Sequence, residues 1–272
     1  MMNKKKLFLI FTIFCTGFIF ADSTYVSPSV YYTYGDYSDT TTSHGISFYN
    51  TWNVIGSFYL INHYDLLNMN NPSWKYKQQT FLAGGLHDFF PFALKYNFVH
   101  YKGKYDYKPY TYEYSEYTNL YNVDASYYYD SFYFGAAFTY QYNFGFSNKI
   151  TRQFTLRFEK IISYPLFISV KPNYTKDQDG KNLFSVAAKV HYLADERLLL
   201  KAGGFAGQRA FYFDSDLLTI YNQPNIQKYQ YFVQAEYFPS YTWKITAAYQ
   251  HTKFSIFEID YFTLGVKANL FL

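Results

Sequence analysis

The stretch FYFGAAFTYQYNF, residues 132–144, constrains the fold of this chain most, because its side chains alternate in character at every step. One parity carries aromatic and apolar residues, and the other carries mostly small and polar residues. Successive side chains of a β-strand point to opposite faces, so the alternation predicts a strand with one apolar face. A soluble sheet covers such a face with a second layer, and the sequence offers no candidate for that layer. The alternative is that lipid covers the apolar face.

The composition of the whole chain favours lipid. Aromatic residues make up 25% of the 272 residues, yet the mean hydropathy is −0.25, so polar residues interrupt the apolar ones at fine spacing. Many short alternating segments of this kind are typical of a transmembrane β-barrel. The chain has one Cys, which excludes a disulfide framework and a metal site built from cysteines.

The first 21 residues have the pattern of a cleaved signal peptide. Lys4, Lys5 and Lys6 precede an apolar core at 7–20, and Ala21 offers a small residue for cleavage. A signal anchor is the alternative, although the apolar core is short for a membrane span. Three of the 24 basic residues lie in this segment, so 21 remain against 20 acidic residues. Net charge therefore gives no reason to expect a nucleic-acid partner.

Residues 22–272 are predicted to form one antiparallel up-and-down barrel of about fourteen strands. Short breaks, such as Asn53-Val54 and Tyr164-Pro165, alternate with longer polar ones, such as 65–73, 103–117 and 208–226. Short turns on one side and long loops on the other are the plan of a bacterial outer-membrane barrel, which has an even strand number. The second to fourth segments alternate poorly, so twelve or sixteen strands are also compatible with the pattern. The predicted strands are 26–36, 44–53, 54–64, 74–86, 92–102, 118–129, 131–144, 150–163, 165–175, 183–194, 197–207, 227–238, 241–252 and 258–271.

The polar parity of these strands predicts which side chains line the bore. Seven basic residues fall on it against three acidic ones, which predicts a mildly anion-selective interior. The alternative is that the charges form a salt-bridged network, as Arg157 and Glu159 could across strands. The predicted lumen-lining residues are Lys95, Arg157, Lys171, Lys189, Lys201, Lys244 and Lys267, with Asp124, Glu159 and Glu236, and also His191.

The width of the bore depends on the loops. Fourteen tilted strands close to a cylinder of roughly 27 Å, which leaves a free bore of about 10–15 Å if no loop enters it. Residues 102–117 are rich in Tyr, and 208–227 form the longest loop and contain an apolar run at 217–220. The long loop either folds into the bore as a constriction or contacts a partner at the surface.

No catalytic, metal or cofactor site is predicted. A barrel hydrolase pairs a His with a nearby Ser, but His191 and Ser185 are separated by roughly 20 Å along one strand. No metal-ligand cluster and no phosphate-binding glycine loop is present in the sequence. We therefore expect that the chain is not an enzyme.

Two places resemble the YaiO-type outer-membrane family. One is the stretch YGDYS at 34–38, which is followed by His44-Gly45, and the other is the Gly-rich strand at 201–208, which runs into Arg209. The closing alternation at 264–270 is similar to the C-terminal signature of outer-membrane proteins, although the chain ends in Leu272 where an aromatic residue is usual. The resemblance implies an outer-membrane barrel without a catalytic motif, sometimes associated with exopolysaccharide systems.

The sequence thus predicts an outer-membrane, porin-like passive channel for small solutes with a mild anion preference. The alternative is a closed barrel that acts in structure, adhesion or polysaccharide export through its Tyr-rich extracellular loops. The expected partners are outer-membrane lipid, the barrel-assembly machinery and other envelope proteins.

Overall fold

The computed structural model describes residues 25–107, 112–144, 149–214, 218–221 and 224–271. The predicted signal peptide lies outside the described residues. No helix in the described part of the chain is long and apolar enough to cross a membrane.

Fourteen antiparallel strands form a closed wall, as the alternation predicted. Each strand pairs with its neighbours in the wall, and β1 pairs with β16 over Ser29 to Tyr37, which closes the sheet on itself. An interruption of the strand at Asn269 separates β16 from the two-residue strand β17 (Leu270–Phe271), which continues the pairing with β1 in the same register. The wall strands are β1 (Tyr25–Tyr37), β2 (Thr42–Ile55), β3 (Phe58–Asn70), β4 (Trp74–Phe89), β5 (Phe92–Tyr107), β6 (Tyr112–Tyr129), β7 (Phe132–Phe144), β8 (Lys149–Ser163), β9 (Leu166–Lys176), β10 (Asn182–Asp195), β11 (Leu198–Arg209), β14 (Gln227–Ser240), β15 (Trp243–Phe254) and β16 (Glu258–Ala268).

The connections alternate between short and long. Six two-residue turns lie at one end, which also holds the first residue of β1 and the last residue of β17, and seven longer connections lie at the other. We call these ends the short-turn end and the long-loop end. In outer-membrane barrels the short turns face the periplasm. The long connections are 38–41, 71–73, 108–111, 145–148, 177–181, 210–226 and 255–257.

Two predicted turns were wrong. The break predicted at 239–240 belongs to β14, and the turn follows it at Tyr241-Thr242. The turn between β2 and β3 lies at Gly56-Ser57 and not at Asn53-Val54, because Gly56 takes a positive φ of 50°, which glycine adopts without strain. The side chain of Asn53 donates a hydrogen bond to the Gly56 carbonyl across this turn at 2.7 Å. As a consequence β3 continues to Asn70, through most of the loop that was predicted at 65–73.

The exterior of the wall is apolar over its middle. Large aromatic and aliphatic side chains stay exposed there, while residues of the opposite parity are mostly buried. A closed barrel with this exterior satisfies its backbone groups internally and offers lipid an apolar surface, as a protein of the bacterial outer membrane must. Exposed members of this belt include Val30, Tyr32, Phe81, Phe98, Val123, Phe134, Phe138, Phe154, Phe158, Val186, Tyr231, Val233, Ile245, Leu264 and Val266.

Close strand packing gives a test of the wall. A Cβ on Gly204 would lie well inside van der Waals contact with the carbonyl oxygen of Gln230, which is backbone and cannot move away. We expect Gly204→Ala to destabilise the refolded barrel by about 1–3 kcal/mol. Denaturant unfolding in detergent measures this, with Gly45→Ala as the matched control, since its Cβ would meet nothing closer than 3.7 Å. Equal stability of the two variants would contradict the packing of β11 against β14.

Candidate functional site: the occluded bore

The long connection between β11 and β14 folds back into the barrel. It contains a small hairpin, β12 (Tyr212–Asp214) paired with β13 (Thr219–Tyr221), which belongs to no other sheet. We call residues 210–226 the inserted segment. Phe213 is 1% exposed, and together with Leu218 it packs in one apolar cluster against the far wall. That wall contributes Ile61, Leu82, Val99 and Leu120 from β3 to β6.

Gln153 of the wall holds strand β12 of the inserted segment by hydrogen bonds to its backbone. The Phe213 backbone N–H donates to Gln153 Oε1 at 3.0 Å, and Gln153 Nε2 donates to the Phe213 carbonyl at 2.9 Å. The Tyr212 hydroxyl donates to Asn173 Oδ1 at 3.4 Å on the neighbouring strand. These bonds satisfy backbone groups that would otherwise be buried without partners, so they fix the segment in one position.

A buried arginine, at the end of β11, holds the start of the same segment. The Arg209 guanidinium carbon lies 3.5 Å from the ring centroid of Phe205, 4.2 Å from that of Tyr212 and 5.3 Å from that of Tyr221. Its Nε donates to Gln227 Oε1 at 2.7 Å, and its Nη2 donates to Gln230 Oε1 at 3.1 Å. Stacking on aromatic rings and in-plane hydrogen bonds together satisfy a guanidinium that is withdrawn from water.

The predicted lumen-lining residues lie on the inner parity and form a band around much of the bore. On one side, Glu236 Oε1 accepts from Lys201 at 2.6 Å and Glu236 Oε2 lies 3.0 Å from Lys244 Nζ. Lys267 pairs in register with Lys244 on the next strand, and His191 pairs in register with Lys201. The band therefore runs continuously from β16 to β10.

On the other side of the bore the band continues through Arg157. Its Nη2 donates to Asp124 Oδ2 at 2.6 Å, whereas its Nε lies 4.0 Å from Glu159 Oε1. Arg157 therefore lies closer to Asp124 than to Glu159, and the predicted pairing of Arg157 with Glu159 does not cross strands, because both residues lie on β8. Glu159 accepts a hydrogen bond from Ser169 at 2.9 Å, and Lys95 pairs in register with Asp124.

The inserted segment adds a carboxylate to this band. Asp214 of β12 lies close enough to Lys95, Lys171 and Lys189 for their charges to interact. Lys171, Lys189 and Asp214 also line the same small cavity, of about 60 Å³. The sequence-based set omitted Asp214 because it lies in a predicted loop without alternation.

Further inward-facing charged residues were not predicted, because they also lie in segments that were assigned to loops. Asp65 and Glu116 lie in segments that were predicted as loops but continue β3 and β6, and Arg209 ends β11. Asp65 accepts from Ser47 at 2.5 Å, and Glu116 Oε1 accepts from Tyr76 at 2.8 Å and from Tyr101 at 2.7 Å. The interior is therefore closer to charge balance than the predicted seven basic against three acidic residues. The signal that identifies Asp65 and Glu116 is the continuation of the strand parity beyond the apolar belt.

Beside the inserted segment, one side of the bore stays open as a cavity of about 690 Å³. It is bounded by β1 to β5, by β11 and β14 to β16, and by the inserted segment itself. It reaches from Ser27 and Lys267 near the short-turn end to Asp39 and Trp74 at the long-loop end. Hydroxyl and amide side chains dominate the middle of its wall, among them Ser29, Thr33, Ser47, Thr51, Gln78, Thr80, Gln234, Thr246, Gln250 and Thr263.

An aromatic and apolar cluster narrows the long-loop end of this cavity. Its buried members come from strand ends on both sides of the β1–β16 closure, so they converge inside the mouth of the barrel. The cluster consists of Tyr37, Met69, Tyr76, Tyr101, Phe254 and Ile259, with Leu67, Trp74, Tyr105, Phe257 and Tyr261 packed against it.

The described residues contain no arrangement of a barrel hydrolase. His44 bonds with Tyr32, His100 with Asn119 and His251 with Asp260, and no described histidine bonds with a serine. Within the same residues no group of three or more His, Cys, Asp or Glu side chains could hold a metal ion. The chemistry that this interior offers is hydrogen bonding and charge, arranged around a cavity.

No protein-family model matches the sequence, and no curated protein matches it. Solved structures do match the fold. The Pseudomonas putida toluene transporter TodX is similar at a TM-score of 0.60 and 7% identity, over 92% of this chain and 90% of that chain. Pseudomonas aeruginosa OccK7 is similar at a TM-score of 0.48 and 11% identity, over 93% of this chain and 100% of that chain. The similarity to TodX shows that the chain has the fold of a bacterial outer-membrane β-barrel.

Proposed function

We propose that this chain is a passive, porin-like channel for small solutes, with a mild anion preference set near its short-turn end. The observation that carries the proposal is the cavity of about 690 Å³ that runs along one side of the bore past the inserted segment. A wall of hydroxyl and amide groups replaces part of a solute's hydration without binding it tightly, which passive conduction requires.

The charge at the short-turn end supports the anion preference. Lys201, Lys244 and Lys267 line the cavity there against the single carboxylate of Glu236. Glu236 is shared by Lys201 and Lys244, and Lys267 has no ion pair in the part of the chain that the structure describes. Excess positive charge in a narrow polar passage raises the local concentration of anions.

The structural neighbours support a channel function but do not identify the solute that this chain transports. TodX is described as a toluene transporter and as a monoaromatic hydrocarbon channel, at identities of 7% and 8% to this chain. The cavity of this chain is lined in its middle by hydroxyl and amide groups, and its aromatic residues concentrate at the mouth. We therefore propose hydrophilic solutes as the cargo, and no catalytic role for the chain.

A closed barrel is the second candidate, and the inserted segment favours it. Phe213 and Leu218 fill the bore against β3 to β6, and the aromatic cluster narrows the mouth. In that case the chain would act through its loops on an envelope partner, as the resemblance to YaiO-type proteins implies. The two resembling places remain the support for this family: Tyr34 pairs in register with His44 in the first hairpin, and Arg209 holds the inserted segment.

Charge reversal at Lys267 tests the selectivity. We expect the wild-type protein in a planar bilayer with a salt gradient to show a reversal potential on the anion-selective side. Lys267→Glu should shift the reversal potential toward cation selectivity, because the short-turn end then carries two basic and two acidic groups. Lys160→Glu is the matched control, since Lys160 faces outward and lies 4.5 Å from the Phe132 ring. An unchanged potential for Lys267→Glu, or cation selectivity of the wild type, contradicts the proposed anion preference.

Removal of the inserted hairpin tests the constriction. Replacing residues 211–222 by a short Gly-Ser linker should raise the single-channel conductance several-fold, because it frees the part of the bore that Phe213 and Leu218 occupy. A folded barrel is verified beforehand by its heat-modifiable gel mobility. A silent wild type with a conducting deletion variant favours the closed-barrel candidate. Equal conductance of the two proteins shows that the hairpin does not limit the passage.

A further inference from the structure

Positive side chains on the exterior of the wall are distributed unevenly between its two ends. Lys160 is the outward-facing strand cation of the short-turn half, and the others lie in the long-loop half, within the strands that the structure describes. In an outer-membrane barrel that half spans the outer leaflet. The outward-facing cations at the long-loop end include Lys75, Lys77, Lys102, Lys104, Arg152, Lys176 and Lys253.

Four of these lysines form one group on β4 and β5. Lys77 pairs in register with Lys104, and Lys102 pairs with Gln79, two residues further along β4. Directly opposed like charges are destabilising on a sheet surface. The arrangement therefore costs stability to the extent that neighbouring anions leave its charges unneutralised.

Two of the four lysines lie next to an acidic residue on the same face of the sheet, and one of these two has an ion pair within 4 Å. Lys104 Nζ lies 2.8 Å from Glu113 Oε2, and Lys75 pairs in register with Asp106. Lys77 and Lys102 have no ion pair with any residue that the structure describes. The Lys102 ammonium lies 5.6 Å from the ring centroid of Tyr117, which holds its side chain on the exterior surface.

The apolar belt begins directly beneath this pair. Phe81 follows Gln79 on the outward parity of β4, and Phe98 and Tyr121 pair in register one step lower. The three rings are 40%, 37% and 52% exposed. A ligand that matches both the lysine pair and the aromatic rings carries negative charge at the level of the lysines and acyl chains at the level of the rings.

We propose that Lys77 and Lys102 bind a phosphate of a phosphorylated glycolipid of the outer leaflet, with its acyl chains over Phe81 and Phe98. Lys77 and Lys102 are diagonal neighbours across the β4–β5 pair, about 7–8 Å apart, so both long flexible side chains reach one phosphate. Lipid A is the occupant that fits, because it combines phosphates and several acyl chains in the leaflet where this patch lies. The bound lipid screens the repulsion between the lysines and stabilises the strand pair.

The test uses the full barrel, refolded in a neutral detergent, with purified bisphosphorylated lipid A as the probe. Native mass spectrometry measures the fraction of barrel that carries one lipid, and thermal unfolding measures the stabilisation. We expect the double variant Lys77→Gln/Lys102→Gln to bind lipid A at least fivefold more weakly than wild type. Lys160→Gln is the matched control at the opposite end and should bind like the wild type.

Two further comparisons make the result specific. Dephosphorylated lipid A should bind the wild type as weakly as the double variant binds lipid A, and inorganic phosphate alone should not stabilise the barrel. Without lipid the double variant should unfold at the same temperature as the wild type or higher, because repulsion is removed. The proposal is overturned if the wild type and the double variant bind lipid A equally well. It is also overturned if the wild type binds dephosphorylated lipid A as strongly as lipid A.

Discussion

Closure of the backbone hydrogen-bond ladder between β1 and β16 is the constraint on which the rest of the structure depends. In hydrocarbon an open edge leaves a row of peptide groups without partners, at a cost of several kcal/mol for each group. Here Ser29 to Tyr37 pairs with Ile259 to Lys267, and β17 extends the seam to Tyr25. Asn269, between β16 and β17, accepts hydrogen bonds from the side chains of Tyr25 and Ser27, so side chains reinforce the seam where the two strands are interrupted.

Closing fourteen strands creates a second problem, because a cylinder of this size is too wide for the wall side chains to fill. The longest loop of the chain fills part of this width. Phe213 reaches the apolar patch of β3 to β6, Gln153 satisfies the backbone of β12, and Arg209 is held among three rings at the end of β11. One side of the bore becomes a packed core, and the other remains a polar cavity. Occlusion of one side thus defines the size and the lining of the cavity on the other.

The sequence predicts the wall well because alternation reports a local property. Phe134 and Phe138 are exposed and Thr139 and Gln141 are buried, since a strand in register with its neighbours has no freedom to turn one residue over. The same reasoning fails where alternation ends. Asp65 and Glu116 were assigned to loops because strand pairing extends beyond the apolar belt into polar sequence. The observed turn at Gly56-Ser57 also lies later in the chain than the predicted turn at Asn53-Val54.

The inserted segment was beyond sequence reasoning for a different physical reason. The apolar run at 217–220 indicated packing, and Leu218 is indeed 8% exposed. The apolar partners of Phe213, however, lie more than ninety residues away along the chain, in β3 to β6. No local period encodes such a contact. The contribution of Asp214 to the charged band follows from the same fold, because a loop residue enters the bore only when the whole segment does. The wall is thus specified strand by strand, whereas the interior that determines function is specified by contacts across the barrel.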